Sequence, residues 1–284
     1  MKRGFRFWLD WVLVLLFSSL LGKGMSYVHY FLLDSLPSLG FVSGFAIYSL
    51  IFSLLVVILY VLVSRMGFRK AGFVSPLPSH FMDAIVLFSL LFPIALLGRL
   101  IIPQFDFDYY DSSIAGGILA FFIVMLFFVV REELTERSMI QSTLMAHYSP
   151  IVVCIAVSLN FSLFHMTWLG ALGWKNTLAM VISIIFGSFL VTVLFVRTSS
   201  ILATLFFHLL NNVIIVTQII LHVKGFLLWE ICLWVAWAAL FVVFMKRGWR
   251  CISGLMSNNV FRGLGFLDYL ILLFFSLVWP FLLT

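Results

Sequence analysis

Apolar runs, separated by short polar connections, occupy most of the chain. They lie at Phe7–Leu21, Gly40–Val63, Met82–Ile102, Ile114–Val130, Ile151–Gly170, Thr177–Val196, Ile201–Val223, Phe226–Met245 and Phe266–Leu283. A hydrocarbon core of roughly 30 Å takes about 20 helical residues to cross, and each run is close to that length. The pattern predicts an all-α fold, a polytopic transmembrane helical bundle of about 8–9 spans. The runs leave no room for a soluble appendage, so residues 1–284 are expected to form a single integral membrane domain.

The connections carry the punctuation. Arg65–Ser79 holds Pro76 and Pro78, Pro103–Ser113 is acidic, and Lys246–Gly265 is basic. Pro93 falls inside the third run and predicts a kink there, because proline removes a helical donor and crowds the preceding turn. Pro150 follows His147-Tyr148-Ser149 and predicts a turn between the fourth and fifth runs. The opening "MKRGFRFWLDWVLVLLFSSLLGKG" has a basic start and an apolar centre, as a signal peptide does. Asp10 interrupts the centre and no small-x-small cleavage site follows, so it is expected to remain as a first span. No internal repeat or low-complexity tract is present.

Composition agrees with a bilayer as solvent: 64% of residues are hydrophobic, 10% are charged and the mean hydropathy is +1.19. The net charge of +6 changes the picture through its distribution. If the N-terminus is cytoplasmic and the runs alternate, the inside receives Lys2, Arg3, Arg6, Arg65, Arg69, Lys70, Arg131, Arg137, Arg197, Lys246, Arg247, Arg250 and Arg262. The outside receives Lys23, Arg99, Lys175 and Lys224, with Asp106, Asp108 and Asp111 in one loop. That asymmetry follows the positive-inside rule. It predicts a multi-pass protein with a cytoplasmic N-terminus, whose basic excess meets lipid and not nucleic acid; the compact chain with no soluble domain is expected in a plasma membrane. Cys154, Cys232 and Cys251 form no disulfide framework and no metal-binding spacing.

Against this background "FVVREELTERSM", residues 128–139, is anomalous, for it places Glu132, Glu133, Glu136, Arg131 and Arg137 at the end of an apolar run. One reading makes them a stop-transfer cluster at the inner interface. The other notes that Met139, Ile140, Leu144 and Met145 resume the apolar character, so that a helix over about 118–146 has its middle near Glu132. Glu133 and Arg137 are then an i,i+4 ion pair in the favourable order. Glu132, about 100° away around the helix, stays available for chemistry. Ionisable groups at that depth are costly and mark function. Two further polar constellations lie in apolar runs. "NFSLFHMTW" holds His165 one turn after Phe161, and "LFFHLLNNV" stacks His208 and Asn212 on one face. Either can be polar glue between helices. Converging from three spans, they can also form a buried polar active-site cavity.

These residues carry a resemblance. "EELTER" (Glu132–Arg137) resembles the EExxxR motif of the CPBP family, which comprises CAAX proteases and bacteriocin-processing or immunity proteins. "FSLFH" (Phe161–His165) resembles its FxxxH motif and "HLLNN" (His208–Asn212) its HxxxN motif. The three occur in order, and the resemblance covers about residues 114–215. Glu136 and Ser138 depart from the family pattern, which commonly has an aromatic before the motif arginine and a glycine after it. The resemblance implies an intramembrane endopeptidase. Glu132 would activate the attacking water, His165 would help to hold it, and His208 and Asn212 would stabilise the oxyanion. Glu133 and Arg137 would set structure and charge. The implied substrates are a prenylated CAAX protein or a bacterial peptide or propeptide. The expected mechanism needs no metal; a divalent zinc held by Glu132, His165 and His208 is the alternative. A second alternative is a catalytically silent membrane scaffold or regulator, or a bacteriocin self-immunity protein.

Overall fold

A computed structural model describes residues 7–20, 39–101, 126–223 and 227–256. The expected span 266–283, the acidic connection 103–113 and the first half of the run 114–130 lie outside these residues. All regular structure among the described residues is helical. Helices α1 (Phe7–Leu20) and α2 (Leu39–Val63) are followed by α3 (Pro78–Ser89) and α4 (Phe92–Ile101). A continuous rod, α5, runs from 126 to 144. Then come α6 (Pro150–Phe164), a 3-10 turn (His165–Trp168), α7 (Leu169–Thr198), α8 (Ile201–Val223) and α9 (Leu227–Met256).

Local sequence explains the breaks. The third apolar run is split at Leu90–Leu91, where the chain turns through i→i+3 bonds from Leu90 N–H to Leu87 O and from Leu91 N–H to Phe88 O. Pro93 cannot donate to Ser89, so the helix restarts with the proline in its first turn. Pro150 likewise opens α6, with Ser149 held extended at φ −66°, ψ 150° as a residue before proline prefers. The fifth and sixth runs differ from expectation: α6 ends at Phe164, and α7 begins at Leu169 and absorbs the end of one run and all of the next. Ser199, at φ 49°, turns the chain into α8 in the left-handed conformation that often closes helices.

The rod α5 does not stop at Val130. It passes through the charged stretch as a π-helix over Leu134–Gln141 and ends after Leu144. The Arg137 carbonyl accepts both the backbone N–H of Ser142 and, at 2.7 Å, its hydroxyl. Glu133 and Arg137 are each 1% exposed, so the cluster is enclosed by protein.

Two packed cores flank this rod. One joins α1, α2, α5 and α6 through Trp11, Val14, Val57, Tyr60, Ile140 and Val153. The other joins α3, α7, α8 and α9 through Ala84, Phe88, Leu194, Phe207 and Trp237; Phe88 and Trp237 stack at 5.0 Å. Lipid tails are as apolar as leucine, so such helices associate by close packing and not by escaping water. Gly248 shows how close: a Cβ there would stand 2.8 Å from the Leu90 side chain.

Polar contacts align the helix ends. His147 Nε2 meets Asp10 Oδ2 at 3.0 Å, Ser142 donates to Lys70 O at 2.9 Å and Ile201 N–H donates to Gly72 O at 3.0 Å. Asp83 pairs with both Arg197 and Arg247. The starts of α1, α3, α6 and α8 therefore share one end of the bundle with the finishes of α2, α5, α7 and α9. Arg65, Arg69, Lys70, Arg197, Lys246, Arg247 and Arg250 lie there, and we call it the basic end. Among the described residues, Pro78–Leu96, Met180–Thr198 and Leu227–Gly254 are long and apolar enough to cross a membrane. Phe7–Leu20, Leu50–Val63, Pro150–Phe164 and Ile201–Ile214 are shorter apolar helices. The chain fits an integral membrane protein.

Candidate active site

The first polar cluster sits where α5, α7 and α8 meet. Arg137 reaches back one turn to Glu133, Nε donating to Oε2 at 3.2 Å. The same guanidinium donates from Nη1 to Thr192 Oγ1 at 3.0 Å and from Nη2 to Ser188 Oγ at 3.5 Å. Gln141 adds a bond from Nε2 to the Thr192 carbonyl at 3.0 Å. A buried ion pair is tolerable only when neighbours satisfy its remaining donors and acceptors. Here α7 supplies them.

The second oxygen of Glu133 is used as well. His208, seven residues into α8, presents Nδ1 to Glu133 Oε1 at 2.9 Å. A carboxylate only accepts, so Nδ1 carries the proton in this contact. The other ring nitrogen, Nε2, points to Glu132 and stops 3.7 Å from its Oε2. The imidazole is thus flanked by two adjacent carboxylates in unequal situations. Glu133 is fully engaged, whereas Glu132 is 22% exposed and has a 4.0 Å approach from Arg131 as its other charged neighbour. Arg131 itself lies over the Phe128 ring at 5.1 Å.

His165 is placed differently. It caps α6 where the helix tightens into the 3-10 turn, and its Nδ1 lies 2.9 Å from the Phe161 carbonyl. That contact commits Nδ1–H and leaves Nε2 as an acceptor. The Phe161 ring packs edge-on against both histidines, 4.9 Å from the His165 ring and 6.1 Å from that of His208. Asn212 follows one turn after His208, and its Oδ1 accepts from Asn211 Nδ2 at 3.5 Å. The structure therefore joins Glu132, Glu133, Arg137 and His208 by direct contact, adds His165 through Phe161, and leaves Asn212 beside His208 along α8. Among the described residues, no group of three or more His, Cys, Asp or Glu is arranged to hold a metal ion.

Sequence reasoning missed Ser188, Thr192 and Gln141, which hold Arg137 and α7 in place. A signal existed. Ser188 and Thr192 are four apart on one face of an apolar helix, a spacing that calls for a polar partner on a neighbour. It missed Asn160 too, which donates from Nδ2 to Glu136 Oε1 at 3.5 Å. Glu136 is buried against α6, and its Oε2 has no hydrogen-bond partner among the described residues.

An all-helical membrane bundle with a buried carboxylate–imidazole cluster at its centre is the class these features define. Within it, a family model described as type II CAAX prenyl endopeptidase Rce1-like matches residues 114–214. The matched segment contains all three motifs and every residue of the cluster. It bears out the family resemblance read from those motifs. No curated protein and no solved structure matches the chain.

Proposed function

We propose that the protein is an intramembrane endopeptidase in which Glu132 activates water for attack on a peptide carbonyl. The family match over residues 114–214 supports proteolysis at a membrane. One observation carries the assignment of Glu132: of two adjacent carboxylates, Glu133 is committed to Arg137 and His208 at hydrogen-bond distance, whereas Glu132 is approached by His208 only at 3.7 Å and by Arg131 at 4.0 Å. The 3.7 Å contact is an ion-pair distance, longer than a good direct hydrogen bond.

In this scheme Glu132 takes a proton from the water, the water oxygen bonds to the carbonyl carbon, and the carbonyl π pair moves onto oxygen. With both ring nitrogens protonated, His208 donates Nδ1–H to Glu133 and Nε2–H to the oxyanion, and Asn212 adds an amide donor. His165 offers Nε2 to the water. The tetrahedral intermediate then collapses, the C–N bond breaks, and Glu132 returns its proton to the leaving nitrogen. His165 and Asn212 take these parts from the family resemblance. An amide is a poor electrophile, so both the base and the oxyanion donors are needed. No step runs through a metal.

The substrate is a prenylated CAAX protein or a bacterial peptide or propeptide, entering from the basic end, which we assign to the cytoplasm by the positive-inside rule. Cleavage of a quenched prenylated CAAX peptide by purified protein, beside its unprenylated analogue and Glu132→Gln, tests the reading. Cleavage by the wild type and none by the variant supports it; equal cleavage by both overturns the role of Glu132.

A further inference from the structure

At the basic end, away from the carboxylate–imidazole cluster, three guanidiniums meet one carboxylate. Asp83 on α3 accepts from Arg247 Nη2 at 2.9 Å and from Arg197 Nη2 at 3.2 Å. Arg250, three residues beyond Arg247 on α9, pairs with no acidic side chain among the described residues. Arg197, Arg247 and Arg250, all exposed, and Cys251 line an open surface pocket of about 390 Å³. Its lining comes from α7 and α9, with Asp83 of α3 paired to two of the arginines, and Gly248 lets α9 approach Leu90 nearby. The proteolytic scheme leaves this pocket unused.

We infer that the pocket binds the phosphate-bearing headgroup of an anionic phospholipid. Charge is the first reason: Asp83 offsets one of three arginines and leaves two positive charges around the pocket. Geometry is the second, since guanidinium forks match the several oxygens of a phosphate and can engage them in pairs. Position is the third. Immediately before the arginines α9 presents bare apolar surface, with Val242 72% and Val243 69% exposed, and Trp249 between Arg247 and Arg250 is 63% exposed. Acyl chains lying along α9 cover that surface, and a tryptophan beside arginines is the usual anchor at headgroup level. A free phosphate satisfies the arginines but leaves the apolar face uncovered.

The test uses the full-length protein in neutral detergent, with bound lipid counted by native mass spectrometry. Phosphatidylglycerol is titrated against phosphatidylcholine with the same acyl chains, and a parallel arm contains inorganic phosphate alone. Arg250→Gln removes the unpaired fork without disturbing the Asp83 pairs, and Arg69→Gln removes an exposed charge elsewhere at the same end. The wild type is expected to hold one phosphatidylglycerol about tenfold more tightly than phosphatidylcholine. Arg250→Gln should lose most of that preference and Arg69→Gln should keep it. Equal retention by wild type and Arg250→Gln overturns the site, as does an equal loss in Arg69→Gln, which would mark diffuse attraction. Saturation by inorganic phosphate without any preference between the two lipids overturns the lipid assignment. Should Arg250→Gln unfold, Arg250→Lys keeps the charge without the fork and is expected to fall between the two.

Discussion

Arg137 and Glu133 form an ion pair one helical turn apart, 3.2 Å from Nε to Oε2, and both side chains are 1% exposed. Their neighbours support it: Thr192 and Ser188 accept from Nη1 and Nη2, and His208 donates to the second carboxylate oxygen. Removing one charge strands the other in protein. Arg137→Met is therefore expected to destabilise the fold by about 3–5 kcal/mol, and the double variant Glu133→Leu/Arg137→Met to recover much of that loss. Thermal unfolding of the three proteins in one detergent measures it. A double variant no more stable than Arg137→Met would mean that the pair is not an isolated electrostatic unit.

Glu132 should behave differently, because it is 22% exposed and its ion pairs, at 4.0 Å to Arg131 and 3.7 Å to His208, are longer than the Glu133–Arg137 pair. Glu132→Gln preserves shape and removes the base, so the turnover number is expected to fall by about 10²–10⁴-fold. The unfolding temperature should stay close to that of the wild type. Glu133→Gln inverts this pattern, with stability falling first and activity following. A shared loss of stability in both variants would assign the two carboxylates the same structural role.

Much of this division was legible in the sequence. The spacing of Glu133 and Arg137 gave the pair, and the resumption of apolar residues at Met139 gave a helix running through the charges. Pro93 and Pro150 located two breaks. Other features depend on partners distant in the chain. The Arg137 contacts to Ser188 and Thr192 span more than fifty residues, and no local pattern states which helix faces α5. The π-helix over Leu134–Gln141 is equally hidden, since Leu, Thr, Glu and Arg there are ordinary α-helix residues. The end of α6 is hidden for a related reason: the run stays apolar to Gly170, so hydropathy gives no hint that the helix stops at Phe164, just before His165.

Gly72 offers a test of how the basic end is assembled. Its φ is +91°, and its carbonyl accepts from Ile201 N–H at 3.0 Å, tying the loop after α2 to the start of α8. A Cβ at this position would stand 2.6 Å from Phe195 Cε2 and 2.8 Å from Ile201 Cγ1. Gly72→Ala is expected to cost about 1–3 kcal/mol through strain and overpacking. Gly67→Ala, where nothing lies within 4 Å of the new methyl, should stay within about 0.5 kcal/mol. Equal unfolding temperatures for the two variants would show that the loop yields without disturbing α8.

Glu136 tests how far the site extends along α5. Its Oε1 accepts from Asn160 at 3.5 Å while its Oε2 has no partner among the described residues, so the group faces α6 and not His208. Glu136→Gln keeps an oxygen for Asn160 and removes a buried acid. Stability is therefore expected to be unchanged or higher, and turnover to remain within about threefold, outside the range that loss of a general base produces. A loss comparable to that of Glu132→Gln would place Glu136 in the path of the proton that Glu132 takes and returns.

Chelation separates the proposed water activation from a metal-centred one. Phe161 packs against the rings of both His165 and His208, and His208 Nδ1 is directed at Glu133. Prolonged dialysis against a strong chelator is thus expected to leave cleavage of the prenylated peptide unchanged, with Glu132→Gln inactive before and after. Loss on dialysis with recovery on adding zinc would point to a metal held by Glu132, His165 and His208. Phe161→Ala would then change the apparent metal affinity by removing the ring packed against both imidazoles. In the metal-free scheme the same substitution loosens the edge-on support of both imidazoles and lowers turnover while leaving the response to chelator flat. The two mechanisms therefore part on one variant, measured with and without the chelator.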